Sequence, residues 1–189
     1  HRRLPSGFGY VRLTARSQNL QGAMIAAIAA HKDAPGLVID LRGNPGGSGL
    51  MVRNVASQFF PKDDERVLGK TLTRTGKPIT LAFVDVIKLE QKIEGTGLHD
   101  GPVVVLVNRD SGSASEMFSA AMQSQKRATI VGETTCGCLL GYMGYATVPG
   151  GGKLAYSEMG FLFPDGQRVE GKGVVPDKAV DIAVADLVA

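Results

Sequence analysis

The sequence predicts an α/β domain with a largely parallel sheet, covering helices and a β-hairpin. Two stretches carry the prediction. The near-continuous apolar run Gly36-Leu37-Val38-Ile39-Asp40-Leu41, as expected of a strand buried on both faces, passes through the glycine-rich segment Arg42 to Gly49 into helical periodicity from Leu50 to Phe60. The same succession recurs where Val103 to Val107 runs through Asn108 to Gly112 into a helix from Ser113 to about Gln125. Strands that alternate with helices in this way build a parallel sheet covered by those helices.

The remaining elements fill in around these two units. Phe8 to Leu13 alternates about Tyr10 and reads as a strand, and Ala-rich Leu20 to Ala30 reads as a helix. Arg66 to Leu72 and Ile79 to Phe83 read as a hairpin turning at Thr75-Gly76-Lys77-Pro78, and Val84 to Ile93 reads as a helix. Ala128 to Val131 is a further short strand. Tyr142 to Val148 and Lys153 to Phe163 form a hairpin around Pro149-Gly150-Gly151-Gly152, and Pro164-Asp165-Gly166 is another turn. There is no linker, low-complexity tract or internal repeat, so the expectation is a single core domain over residues 1–189.

Composition excludes several classes. With 43% hydrophobic and 21% charged residues the chain can pack a core and is not globally disordered. A net charge of +3 is too small an excess for a nucleic-acid footprint. No apolar run reaches the ~20 residues a membrane span needs, and the first residues, His1 to Gly7, hold no signal-peptide core. The two cysteines, Cys136 and Cys138, are too few for a disulfide framework or a structural zinc site, so no metal and no cofactor are expected.

Sites in open α/β sheets form at the carboxyl ends of strands, where loops meet helix N-termini. Arg42 to Gly49 is one such loop, but it lacks the spacing of a phosphate-binding motif. Asn108 to Ser115 is the other. Ser113 stands there at a helix start three residues before Glu116, which fits both a capping box and a nucleophile.

Six segments, in order, resemble the tail-specific, or C-terminal processing, serine proteases and their tricorn-like relatives. They are Tyr10-Val11-Arg12-Leu13, Ile39 to Gly47, Val105 to Asn108, Ser111 to Glu116, Val131 to Thr135 and Gly171 to Asp177. The resemblance implies a core of the ClpP/crotonase type, preceded in full-length relatives by an N-terminal part and usually a PDZ domain, both expected to be absent from this chain. It also implies Ser113 as nucleophile, with oxyanion stabilisation by backbone groups of Gly46, Gly47 and Ala114. A polypeptide substrate and an extracytoplasmic location follow from the resemblance alone, and self-association stays open.

The chain departs from the Ser/Lys branch of that family. The lysine base expected 25 residues after the nucleophile is Cys138, and the supporting glutamine four residues further on is Tyr142. A thiol with a pKa of about 8.5 is mostly neutral at pH 7, so Cys138 is not expected to act as a base. In an extended stretch Cys136 and Cys138 would have Cα atoms ~6.6 Å apart, near the upper limit for a disulfide, so free thiols are expected. Tricorn-like relatives use Ser, His and Ser supported by Glu, which makes Glu170 a candidate, though it also suits a solvated turn. His31 and His99 precede strands and belong at the opposite end of the sheet, and His1 is terminal. The implied function is a serine endopeptidase core whose base lies outside this chain. The alternatives are a ligand-binding module like the repeats of interphotoreceptor retinoid-binding protein and a pseudo-protease scaffold.

Overall fold

The computed structural model describes residues 1–14, 20–73, 79–81, 84–86, 89–141, 144–157 and 159–180. In chain order the first elements are β1 (Arg2–Arg3), β2 (Gly9–Arg12), α1 (Gln21–Ala29), β3 (Leu37–Asp40) and α2 (Gly49–Ala56). The strands β4 (Glu65–Thr73), β5 (Ile79–Leu81), β6 (Val84–Val86), β7 (Leu89–Glu94) and β8 (Val103–Val107) follow. Then come α3 (Ala114–Ser124), β9 (Thr129–Gly132), β10 (Gly144–Thr147), β11 (Lys153–Tyr156), β12 (Met159–Leu162) and β13 (Lys178–Ala179).

The apolar runs become the middle of a six-stranded sheet ordered β1-β2-β3-β8-β9-β13, parallel except for β1. Leu37, Ile39, Val103, Val105, Val107 and Ile130 are buried in it. Against them pack Met24 and Ile28 of α1, Val52 and Val55 of α2, and Phe118 and Met122 of α3. Burying each such side chain contributes about 1.5–3 kcal/mol, which is what commits these segments to one sheet and its covering helices. Among the described residues no helix is long and apolar enough to cross a membrane.

A second sheet, ordered β12-β4-β7, departs from the sequence expectation. Val84 to Ile93 is not a helix but the strands β6 and β7, because Ile93 is buried between exposed Lys92 and Glu94, a period of two. Pairing with β4 from Glu65 to Thr71 supplies the backbone hydrogen bonds that override helical propensity. β4 therefore does not form a hairpin with Ile79 to Phe83. β5 pairs instead with β6, and the expected turn at 75–78 lies outside the described residues. The later hairpin is present as β10 with β11. The chain then leaves it, and β12 joins β4.

One charged cluster fastens the carboxyl ends of β2 and β3. Asp40 has no exposed side-chain surface. It accepts hydrogen bonds from the Tyr10 hydroxyl (2.6 Å), the Arg42 backbone (3.0 Å) and two Arg42 guanidinium nitrogens (2.9 and 2.8 Å). Burial opposes its charge, but the donors from Arg42 and Tyr10 outweigh burial and hold the carboxyl below the usual carboxylate range. A pKa depressed on folding contributes stability that is fully present above the unfolded value of about 3.9 and is lost as pH falls through the folded one. Asparagine at 40 loses the charge and turns an amide NH2 toward the Tyr10 and Arg42 donors, so Asp40→Asn is expected to lower the unfolding free energy by about 2 kcal/mol near neutral pH. Urea denaturation should show that difference shrinking below about pH 4; a difference independent of pH would contradict the assignment.

Candidate active site

The loops after β3 and β8 emerge on the same edge of the sheet because β3 and β8 are parallel and adjacent. Asn44 ties them together. Its side chain donates to the Leu13 carbonyl (2.8 Å) and accepts from the Gly46 N–H (2.9 Å). Its carbonyl accepts from the Gly112 N–H (3.0 Å) and the Ser115 hydroxyl (3.0 Å). Asn44 is 2% exposed, and its bonds with the Gly46 N–H and the Ser115 hydroxyl are buried. Ser111 adds a further tie by donating to the Leu41 carbonyl at 2.9 Å.

Ser113 is the N-cap of α3 and adopts φ 49°, ψ −113°, a conformation that costs a non-glycine residue about 1–3 kcal/mol. Gly46 lies against it. A Cβ at Gly46 would stand 2.6 Å from Ser113 Cβ, 2.8 Å from the Gly112 carbonyl oxygen and 2.9 Å from the Ala114 nitrogen, and its φ of +111° also favours glycine. The Gly46 N–H is already engaged by Asn44, whereas the N–H groups of Gly47 and Ala114 have no hydrogen-bond partner among the described residues. Gly46, Gly47 and Ala114 also border an apolar cavity of about 50 Å³ lined by Leu13, Ile39, Leu41, Val52 and Phe118.

Glu116 supports the site from beneath. Fully buried, its carboxylate accepts from Ser113 N–H (3.0 Å), Thr135 Oγ1 (2.7 Å), Gly137 N–H (2.6 Å) and Cys138 N–H (3.0 Å). Four donors replace the water that a buried carboxylate loses. The sequence identified Glu116 only as the partner in a capping box, and Asn44 only as part of a glycine-rich loop.

The cysteines correct the sequence reading. Cys136 and Cys138 are joined by a disulfide, with Cα atoms 5.2 Å apart rather than the ~6.6 Å of an extended stretch. The reason is Gly137, whose φ of +70° folds the chain back between them. Cys138 therefore has no titrating thiol, in agreement with the expectation that it is not a base.

Glu170 is exposed and does not approach Ser113 through any hydrogen bond. It accepts the Leu140 N–H at 2.8 Å and so steadies the segment that follows the disulfide. His31 packs under Gly9 and His99 under Gly101, at the ends where β2 and β8 begin. Burial lowers the pKa of both. Among the described residues no imidazole or ammonium group bonds Ser113.

Residues 7–180 match Peptidase family S41. The chain belongs to that family. A Staphylococcus haemolyticus protein named "Probable CtpA-like serine protease" is 34% identical to this S41 chain over 156 residues, 82% of this chain and 29% of the relative. The carboxyl-terminal-processing protease of Synechocystis is 30% identical over 175 residues, 92% of this chain and 38% of the relative. Of solved structures, the photosystem II D1 C-terminal processing protease superposes with a TM-score of 0.72 at 28% identity, covering 94% of this chain and 44% of its own. Tricorn protease, at 18% identity and a TM-score of 0.62, shares the fold. The S41 chain thus spans 29% and 38% of the two curated relatives. These likenesses favour a peptidase over the ligand-binding and scaffold alternatives.

Two substitutions probe the joined loops. Gly46→Ala meets both a positive φ and three close neighbours, and is expected to lower the unfolding free energy by about 2 kcal/mol or more. Asn44→Ala leaves the Leu13 carbonyl and the Gly46 N–H unpaired, a loss of about 2–3 kcal/mol. Urea denaturation of both variants measures these losses, and parent-like stability in either would show that the loops are not coupled as described.

Proposed function

We propose that this chain is the catalytic core of a serine endopeptidase in which Ser113 is the nucleophile. The observation that carries the reading is a strained N-cap serine with Gly46 packed against it, while the N–H groups of Ala114 and of Gly47 in the facing loop have no partner among the described residues. Ser113 Oγ attacks a peptide carbonyl. The oxygen that becomes negative is received by the Gly47 and Ala114 N–H groups and by the positive end of α3. The base takes the Ser113 hydroxyl proton and passes it to the leaving nitrogen, so that collapse of the tetrahedral intermediate breaks the C–N bond, expels the amine and leaves an acyl-enzyme, which water then hydrolyses. Gly46 contributes its missing side chain, which lets the two loops approach.

The base is supplied from outside these 189 residues, and Glu170, tied to Leu140, shapes the surrounding loop. The substrate is a polypeptide held extended along a strand edge, where main-chain hydrogen bonds supply affinity. The apolar cavity beside Gly46 and Ala114 would take the side chain preceding the scissile bond. An extracytoplasmic setting is supported by the exposed disulfide, because such bonds persist in oxidising compartments.

The test is hydrolysis of casein, together with mass mapping of the cleaved bonds. The isolated chain is expected to be weak, because an adjacent base contributes about 10² to 10⁴ in rate, while an oxyanion hole alone retains about 10³ to 10⁴ over water. Ser113→Ala should bring the residual cleavage to background. Vigorous Ser113-dependent cleavage would place the base within the chain, and cleavage unaffected by Ser113→Ala would refute the nucleophile.

A further inference from the structure

We propose that the Cys136–Cys138 disulfide is a thiol–disulfide exchange site whose redox state sets the conformation of the nucleophile loop. The bond joins two exposed residues beside Ser113, and accessible disulfides are the ones that small thiols reduce. Its position gives it leverage. The Cys136 N–H donates to the Ser111 carbonyl at 3.0 Å, and the Ser113 N–H donates to the Cys138 carbonyl at 3.2 Å. The two bridged residues therefore clasp the two residues that flank Gly112. A Cβ at Gly112 would lie 3.0 Å from Cys138 Sγ and 3.3 Å from the Pro45 carbonyl, so the clasp closes directly over the turn that leads into Ser113.

Glu116 couples the clasp to the nucleophile. One carboxylate oxygen accepts from Gly137 and Thr135, and the other is shared between Cys138 and Ser113. The ring through Gly137 holds two of those donors in place. Opening the ring returns backbone freedom to residues 136–138 and loosens two of the contacts that keep Ser113 at φ 49°. The oxidised form is thus the one that holds the serine poised, and reduction relaxes it.

The exchange balances with a thiol reductant as co-reactant. A thiolate attacks one cysteine sulfur, the Cys136–Cys138 bond breaks, and the other cysteine leaves as thiolate. A second thiolate attacks the resulting mixed disulfide, releasing the oxidised reductant and the second cysteine. Two electrons pass to the protein, and each released cysteine thiolate can take up a proton from water.

The effect on Ser113 reactivity rests on the serine-peptidase reading, whereas the exchange and the loop response do not. The experiment treats the intact chain with glutathione or dithiothreitol under native conditions and traps thiols with iodoacetamide. It then reads amide hydrogen exchange at Ser113, Gly137 and Cys138 together with fluorophosphonate labelling of Ser113. Reduction should expose both cysteines to alkylation, speed amide exchange at those positions about tenfold or more, and slow labelling by a similar factor, since a misplacement of about 1 Å can cost 10²-fold in rate. The double variant C136S/C138S should match the reduced chain with or without reductant. If that variant does not fold, the reduced wild-type chain supplies the same comparison. A disulfide that native reductant cannot open, or one that opens while exchange at Ser113, Gly137 and Cys138 stays unchanged, overturns the proposal. Redox-dependent exchange with no Ser113 labelling in either state upholds the loop response and overturns its effect on Ser113 reactivity.

Discussion

A carboxylate buried away from water is stable only where donors replace its lost hydration, and the placement of Glu116 makes the whole site follow from that requirement. Its four donors come from three places in the chain: the start of α3, Thr135, and the bend between the cysteines. Satisfying one side chain therefore draws the helix start and the segment after β9 against each other. Thr135 extends the tie by accepting the Val174 N–H at 2.7 Å, which brings the segment before β13 into the same network. With the donors absent, the carboxylate would be a liability of several kcal/mol; with them, it gives the loops one register.

The opposite loop is organised without a charge. Asn44 uses both ends of its amide and its own carbonyl to join the ends of β2, β3 and β8, so the glycine-rich segment is a fixed wall rather than a flexible tether. Behind it, Asp40 and Arg42 close the strand ends. Ser113 is thus held between a neutral knot on one side and a buried carboxylate on the other. Both are anchored to a sheet whose middle strands, β3 and β8, are buried or half-buried at every position.

The sequence made some of this legible and hid the rest for physical reasons. Gly36 to Leu41 and Val103 to Val107 were readable because a strand covered on both faces is apolar at nearly every position. Val84 to Ile93 reads as a helix because its strand character depends on partners outside it, β5 for Val84–Val86 and β4 for β7. Ser113 and its neighbouring glycines were readable as a motif, and the structure places Gly46 against Ser113 as that motif required. The division of labour in the loop was not. The Gly46 N–H is occupied, which only the position of the Asn44 side chain reveals. The disulfide was missed because the spacing was judged as extended chain, while Gly137 bends it.

The backbone of Ser113 has a consequence for how such a site changes over generations. A serine at φ 49°, ψ −113° is held where glycine would rest without strain. The residue proposed as nucleophile is therefore one that folding alone would replace. Substitution to glycine relieves the backbone, and selection for stability favours it wherever selection for activity lapses. A lineage that kept the fold but abandoned hydrolysis would be drawn toward glycine at position 113. The serine here therefore stands at a thermodynamic disadvantage to glycine that packing against Gly46 has to carry.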